Sequence, residues 1–366
     1  MNILILTGNP INGAGGVERF CRDLIRICSR KGWRVQVLTP HDLAGRSVQL
    51  NAFTELLWAY RLGRVASRLV KKVDLVISNG IWGSWVDENF LRVNVYHGTW
   101  AGNYIKGQPR SPKKWVGRQL RTWAERQSGR NAINVAVSES VKGEVEQYYG
   151  LTVYRVIENG VDLDLFSPPS VEERLVNKKN LGLAPGRVLA LYTGRMEWGK
   201  GIDRLNDLAK KIKTSTLKPP IEFCVVTPKI ERKFYSRHIR YVIGDSVEKV
   251  LRAYRAADVF IFPSRYEGCE YVTLEALATG LLVIGTPTGA MQMLKERDPV
   301  LGRYIVDVCS VEALREKLED YLVLSEEERT VVSRLARQYV EKWASLDLFE
   351  RKWVTLIEEV SSRGKH

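Results

Sequence analysis

At 366 residues, with 45% hydrophobic and 27% charged side chains, the chain is too long for one ordinary core, and its composition excludes a disordered or fibrous protein. A formal net charge of +14 favours acidic partners: nucleic acid, anionic lipid or a phosphorylated substrate. No apolar run approaches the ~20 residues that span a bilayer, the N-terminal MNILILTGNP has no basic leader, and five cysteines without ligand spacing are expected as reduced thiols in a cytoplasmic protein.

In chain order, strands are predicted at 2–7 and 34–39 around a helix at 17–31. The intervening loop, Gly8 to Glu18, is glycine-rich at a strand-to-helix junction. Two phosphate motifs almost fit it. Gly8-x4-Gly13 begins a P-loop, but Ala14-Gly15 stands where Lys-Ser/Thr is required. Gly13-Ala14-Gly15 begins a dinucleotide fingerprint, but Glu18 takes the third glycine position. What remains is a backbone around Gly15 and Gly16 that can approach a ligand closely, a composition that a merely tight turn shares. Further strands are predicted at 73–78, 92–96, 133–137 and 153–157. His97 and Trp100 follow the fourth of these six strands, at the C-terminal end of 92–96, and on residues alone His97 suits a structural or a ligand-binding role. Ser138 ends 133–137 and is read as a helix N-cap.

Lys106–Arg130 carries eight Lys/Arg against one acid, Glu125. From Pro112 onward its pattern is helical, with Val116, Leu120 and Trp123 on one stripe and Lys114, Arg118 and Arg121 on the opposite face. Two readings stay open: a surface helix with a solvated basic side, or a segment that meets an anionic membrane face or a phosphorylated acceptor.

The second half begins with a strand at 188–192, followed by a loop that holds Gly194, Arg195 and Lys200. A guanidinium and an ammonium at a strand-to-helix junction can neutralise a diphosphate. Strands at 223–226, 241–244 and 259–262 follow, the last ended by Pro263. Tyr271 to Thr279 suits a helix stopped by Gly280, and 281–284 is the next strand, so the region reads as a unit of a parallel sheet. Glu267 and Glu275 flank a site suited to phosphate. They would repel a bare phosphate, but carboxylates accept hydroxyl hydrogen bonds worth roughly 1.5–3 kcal/mol each. Two such carboxylates around a diphosphate fit a nucleotide-sugar.

Glu267-x7-Glu275-Ala276, Gly194-Arg195-x4-Lys200-Gly201 and Ile157-Glu158-Asn159-Gly160-Val161-Asp162-x3-Phe166 together resemble the retaining family-4 glycosyltransferases of group 1. The resemblance implies the GT-B fold, two Rossmann-like α/β domains facing an interdomain cleft, with a C-terminal helix crossing back to the first domain. It sets the domains at 1–166 and 187–340, with a linker region at 167–186 and a crossover helix at 341–366, taken from a helical pattern over 326–363. It implies diphosphate binding by Arg195 and Lys200, donor-sugar contacts from Glu267 and His97, and ribose contacts from Glu275. Donor contacts are also expected from Gly15, Gly16, Gly194, Gly268, Cys269, Glu270, Tyr271 and Val272, with Ile243 at the nucleobase. Trp100, Lys114, Arg118, Arg121 and Trp123 are candidates for acceptor or membrane contact. No metal and no cofactor are expected beside a UDP-, GDP- or ADP-sugar, because such enzymes lack a metal motif and Asp162-Leu163-Asp164 belongs to a turn. The implied function is transfer of a hexose-type sugar to a glycan or lipid-linked acceptor, in the cytoplasm or peripherally on its membrane face. Two departures stand out: Glu270 replaces the usual Gly or Pro, and Gly289-Ala290-Met291-Gln292-Met293 lacks the usual Glu. The rival readings are a nucleotide-sugar epimerase of the same fold and a nucleic-acid-binding protein, the latter without a helix-turn-helix, zinc or RNP-type signature.

Overall fold

The computed structural model describes residues 1–13, 15–69, 72–108, 115–184, 186–213, 219–308 and 310–363. The chain forms two compact units, Met1–Asn159 with the stretch from Asp347 onward, and Gly160–Leu346. The first unit holds strands β1 (Asn2–Leu6), β2 (Arg34–Leu38), β3 (Leu75–Asn79), β4 (Arg92–Tyr96), β5 (Ile133–Ala136) and β6 (Val153–Val156). They form one parallel sheet in the order β2-β1-β3-β4-β5-β6. The second unit holds β7 (Val188–Thr193), β8 (Ile221–Thr227), β9 (Ile239–Ile243), β10 (Val259–Phe262) and β11 (Leu282–Gly285), parallel and ordered β11-β10-β7-β8-β9.

Burial explains the sequence pattern. Central strands such as β3, β7 and β10 are buried at every position and read as apolar runs, broken only at their carboxyl ends by Ser78 and Asn79 in β3 and Thr193 in β7. The edge strands β2 and β9 carry exposed positions and interleave Arg, Gln or Tyr with Val and Ile. In both sheets the winding reverses, between β1 and β3 in the first and between β7 and β10 in the second. Loops beyond the carboxyl ends of such paired strands are where ligands bind in open α/β sheets.

The C-terminal helix Leu346–Arg363 packs in the first unit from Asp347 on. There the rings of Phe349 and Trp353 lie 5.8 and 5.4 Å from that of Phe20. The helical pattern over 326–363 resolves into two helices, Glu326–Trp343 and Leu346–Arg363, because Ala344 and Ser345 leave the helix to pair with Val161. Val161 N–H donates to Ala344 O at 2.8 Å and Leu346 N–H to Val161 O at 2.9 Å. Residues 160–166, expected in the first domain, therefore lie in the second unit, where Arg337 donates to the carbonyls of Leu163 and Phe166 at 3.0 and 2.7 Å. Asp162 Oδ1 accepts from the N–H groups of Asp164 and Leu165 at 3.1 and 3.0 Å, so its carboxylate serves a turn. The stretch expected as a linker contains the helix Val171–Asn180, capped by Ser170 and tied by Lys178 to Asp258.

Candidate functional site

In the second unit the loops after β7 and β10 touch. Gly201 has φ 73°, and a Cβ there would lie 1.9 Å from the Pro263 carbonyl oxygen, so only glycine allows the approach. The Arg265 N–H donates to Gly199 O at 2.8 Å, and Ser264 Oγ lies 3.0 Å from the same oxygen. The Arg265 guanidinium makes two bonds to Asp203, 2.7 and 2.6 Å, and lies 3.7 Å over the Trp198 ring. These ties fix Lys200 opposite Glu267. Lys200 Nζ is 2.7 Å from both Glu267 oxygens, and Ser264 Oγ donates to one of them at 2.7 Å. Sequence reasoning named Lys200 and Glu267, and the structure brings the two into contact. It missed Ser264, Asp203 and Arg265, for which the only signal was a hydroxyl and a cation beside the predicted strand end.

Arg195 is not brought to this pair. Its guanidinium is exposed and 2.9 Å from Glu197, while its carbonyl accepts from the Tyr192 hydroxyl at 3.0 Å. Gly194, with φ 144°, starts the same loop, its N–H bonded to Val226 O at 3.0 Å. Gly268, Cys269 and Glu270 are buried and lead into the helix Tyr271–Ala278, of which Tyr271 is buried and Val272 half-buried. Glu275, one turn along that helix, is buried and accepts from the Tyr254 hydroxyl at 2.9 Å. That hydroxyl is itself 2.7 Å from Thr193 Oγ1 at the end of β7. Ile243 ends β9 and is 38% exposed.

Glu270 does not project a charge into this loop. Its carboxyl accepts from the Ala290 N–H at 2.9 Å and the Thr273 hydroxyl at 2.7 Å, at the start of the helix Gly289–Arg297. Burial first, and the neighbouring charge of Glu267 second, push it up to about 8. Gly289, at φ 54°, makes room: a Cβ there would lie 2.1 Å from a Glu270 oxygen and 2.7 Å from Glu267 Cβ.

In the first unit, Gly15 and Gly16 open the helix Gly16–Arg30, and a Cβ on Gly15 would lie 2.1 Å from a Glu18 oxygen. Asn9 donates to Glu18 at 2.8 Å and Arg22 to Gly13 O at 2.7 Å, so side chains shape this glycine-rich loop. His97 follows β4, and its Nε2 is 2.7 Å from Asn79 Oδ1 at the end of β3. The Asn79 amide nitrogen donates to Leu6 O, which fixes its oxygen toward the ring. Nε2 therefore carries the proton and Nδ1 is the acceptor. Burial pushes His97 down to about 4, so the ring is neutral at physiological pH. Ser138 caps the helix Glu139–Tyr149 by accepting from Val141 N–H, the structural reading.

The helix predicted from Pro112 runs over Trp115–Gly129, and its faces are inverted relative to the sequence reading. Arg121 faces inward, bonded to Glu55 at 2.6 Å and lying 4.2 Å over the Trp100 ring. Arg118 lies 4.8 Å over the Tyr104 ring. The solvated residues instead include Trp115, Val116 and Trp123. The reason is a non-local partner: a carboxylate and two rings draw the arginines in. Lys114 lies outside the described residues. Sequence reasoning also missed a buried acid pair below His97. Glu125 accepts from the Trp100 N–H at 2.7 Å and from the Tyr149 hydroxyl, and Glu144 accepts from the Thr99 hydroxyl at 2.7 Å and from Lys106 at 3.2 Å. Burial pushes Glu125 up to about 7.

Comparison with known proteins decides the family. Residues 14–165 match "Glycosyltransferase Family 4" and residues 187–323 match "Glycosyl transferases group 1". The chain belongs to the group 1, family-4 glycosyltransferases. TuaC of Bacillus subtilis (strain 168), a glycosyltransferase assigned to teichuronic acid biosynthesis, is 30% identical over 230 residues, 63% of this chain and 52% of the relative. The matched part thus spans about half the length of that relative. Among solved structures, sucrose-phosphate synthase from Thermosynechococcus elongatus superposes with a TM-score of 0.82 at 18% identity, covering 99% of each chain. Anabaena HepE, solved in complex with UDP-glucose, gives 0.71 at 16% identity, covering 98% of this chain and 100% of the other. The fold is GT-B. Among the described residues no helix is long and apolar enough to cross a membrane.

Proposed function

We propose that the chain transfers a hexose-type sugar from a nucleoside-diphosphate donor to a glycan or lipid-linked acceptor, with retention at the anomeric carbon. The observation that carries this reading is the Lys200–Glu267 pair at the β7/β10 reversal, backed by Ser264 and followed by the buried Glu275. A cation and a hydroxyl acceptor side by side are what a sugar diphosphate needs. As the bond from the anomeric carbon to the phosphate oxygen breaks, negative charge grows on the diphosphate. Lys200, Arg195 turned from Glu197, and the N–H groups at the start of Tyr271–Ala278 stabilise it without a metal. Glu267 accepts from sugar hydroxyls and Glu275 from the ribose. Gly268 to Val272 and Gly194 supply close-lying backbone, and Ile243 flanks the base. For the first unit we propose that the neutral His97 ring accepts a hydroxyl hydrogen bond through Nδ1, beside the Gly15-Gly16 loop.

Retention follows if the acceptor attacks from the face that the diphosphate leaves, its proton passing to the departing phosphate oxygen while its own oxygen bonds the anomeric carbon. HepE holds UDP-glucose, which makes UDP-sugars the first donors to screen. A thermal-shift panel of UDP-, GDP- and ADP-sugars, followed by transfer assays with the stabilising donor, tests the proposal. Stabilisation by one donor class with acceptor-dependent release of nucleoside diphosphate is expected. Epimerised donor formed without any acceptor, or no response to any nucleotide-sugar, would overturn it.

A further inference from the structure

The helix Val171–Asn180 sits on the second unit with its polarity inverted. Its inward side is ionic: Lys178 Nζ is 2.5 Å from an Asp258 oxygen, and Arg174 donates to the Ala257 carbonyl at 2.6 Å. Its outward side is apolar: Val171 is 75% exposed, Leu175 60% and Val176 58%, and no residue of the helix is buried. A helix packed on a folded core ordinarily turns its apolar stripe inward. Here charges do the anchoring while the apolar stripe faces water, as on a surface that a partner covers.

The outward stripe is complementary to its own reverse. At about 100° per residue, Glu172, Leu175, Val176 and Lys179 share one helix face through the i, i+3, i+4, i+7 spacing. All four are exposed, and Glu172 and Lys179 take no part in the ties that hold the helix down. The apolar pair lies in the middle, with the acid before it and the lysine after it at equal spacing. Beside the stripe runs a groove between Val176 and Asn177 of this helix and Leu251 and Arg252 of the helix Val247–Ala256. Val247, which opens that second helix, is 61% exposed and extends the apolar surface.

We infer that this face pairs with the same face of a second copy of the chain, helix against antiparallel helix about a two-fold axis. A two-fold interface uses one patch twice, so the patch must match itself when reversed. With the axis between positions 175 and 176, each Leu175 meets Val176 of the second copy, and each Glu172 meets Lys179 of the second copy. An anionic lipid or nucleic-acid surface is a poorer occupant, because Glu172, Glu173 and Glu248 are exposed around the same groove. Ten helical residues span only about 15 Å, so the contact belongs with the small interfaces that dissociate on dilution. None of these residues belongs to the proposed donor site, and the inference does not depend on the transfer reaction.

Sedimentation equilibrium of the full chain tests it, across about 1–300 µM, where weak contacts dissociate. A monomer–dimer equilibrium is expected. Leu175→Ser with Val176→Ser should raise its Kd by about tenfold or more. Glu172→Lys alone and Lys179→Glu alone each set like charges face to face, and each should weaken the dimer by about tenfold. Mixed in equal amounts, these two charge variants should regain the wild-type Kd, because every lysine at 172 or 179 of one chain then faces a glutamate of the other. The substituted side chains are exposed, so the variants should stay close to the wild-type melting temperature, which is measured alongside. A monomer throughout the range, or a dimer that no folded variant weakens, overturns the inference. So does a mixture of the two charge variants that associates no better than either alone.

Discussion

Glu267→Gln separates the two roles given to the Lys200–Glu267 pair. Both carboxylate oxygens hold the ammonium at 2.7 Å, so a diphosphate must take Lys200 from a partner already in place. The lysine side chain is 24% exposed and the glutamate 7%. That partial burial sets the competition near the upper end of the ~0.2–1 kcal/mol typical of exposed ion pairs, or about 1 kcal/mol. Glutamine keeps the volume and an oxygen for Ser264 but removes the charge. A nucleoside diphosphate without its sugar should therefore bind the variant about fivefold tighter, since 1.4 kcal/mol is tenfold. Turnover should move the other way, by about 10- to 100-fold, because a charge-assisted bond from a sugar hydroxyl, roughly 1.5–3 kcal/mol, is weakened. Calorimetric titration with the diphosphate and initial rates with the stabilising nucleotide-sugar read the two effects. Weaker diphosphate binding would refute the competition, and an undiminished rate would refute the sugar contact.

Lys200→Ala should cost about 2–4 kcal/mol in transition-state stabilisation, read from kcat/KM, and Arg195→Ala should cost less because that side chain must first leave Glu197. Activity should persist in EDTA; loss that Mg²⁺ or Mn²⁺ fully restores would contradict cationic stabilisation of the leaving group. Gly201→Ala should destabilise the second unit by about 2–4 kcal/mol in denaturant unfolding, because the new Cβ meets the Pro263 carbonyl and the backbone is left-handed. Glu125→Gln tests the buried acid. A carboxyl raised from 4.5 to about 7 stabilises the fold below pH 4.5 and loses that contribution as pH rises through 7. Relative to wild type, the glutamine variant should thus gain stability only as pH rises, by at most about 3 kcal/mol above pH 7. A difference that stays flat from pH 4.5 to 8 would show that the Trp100 N–H and the Tyr149 hydroxyl already stabilise the ionised form enough to offset burial and the charge of Glu144.

What the sequence disclosed depended on whether the cause was local. Buried parallel strands need apolar residues at every position, so runs such as Val259–Phe262 and Val188–Tyr192 were legible at once. Lys200 and Glu267 were legible because each sits just beyond such a run. The faces of Trp115–Gly129 were not, because amphipathic reasoning assumes that cations face water, whereas Arg121 has a carboxylate partner 66 residues away. The helix Ala52–Ser67, which supplies that partner, carries its apolar residues on both faces and so gave no clean period. Glu125 shows the same limit: nothing in a lone glutamate announces that the Trp100 N–H and the Tyr149 hydroxyl will meet it.

Glu270 shows most sharply how a local reading divides what the fold joins. In the sequence it is an added negative charge beside a phosphate site, and the altered segment 289–293 is a second, separate departure. In the structure they are one feature. The Glu270 carboxyl lies against the N–H of Ala290, at the positive end of the helix Gly289–Arg297, and does so only because Gly289 has no Cβ to block it. Burial first, and the charge of Glu267 second, push that carboxyl up and favour its neutral form. The added acid is therefore turned away from the diphosphate loop and mostly neutral, and Glu267 remains the carboxylate that faces Lys200. The departure at 270 and the one at 289–293 then leave the charge of the proposed donor site as Lys200 and Glu267 set it.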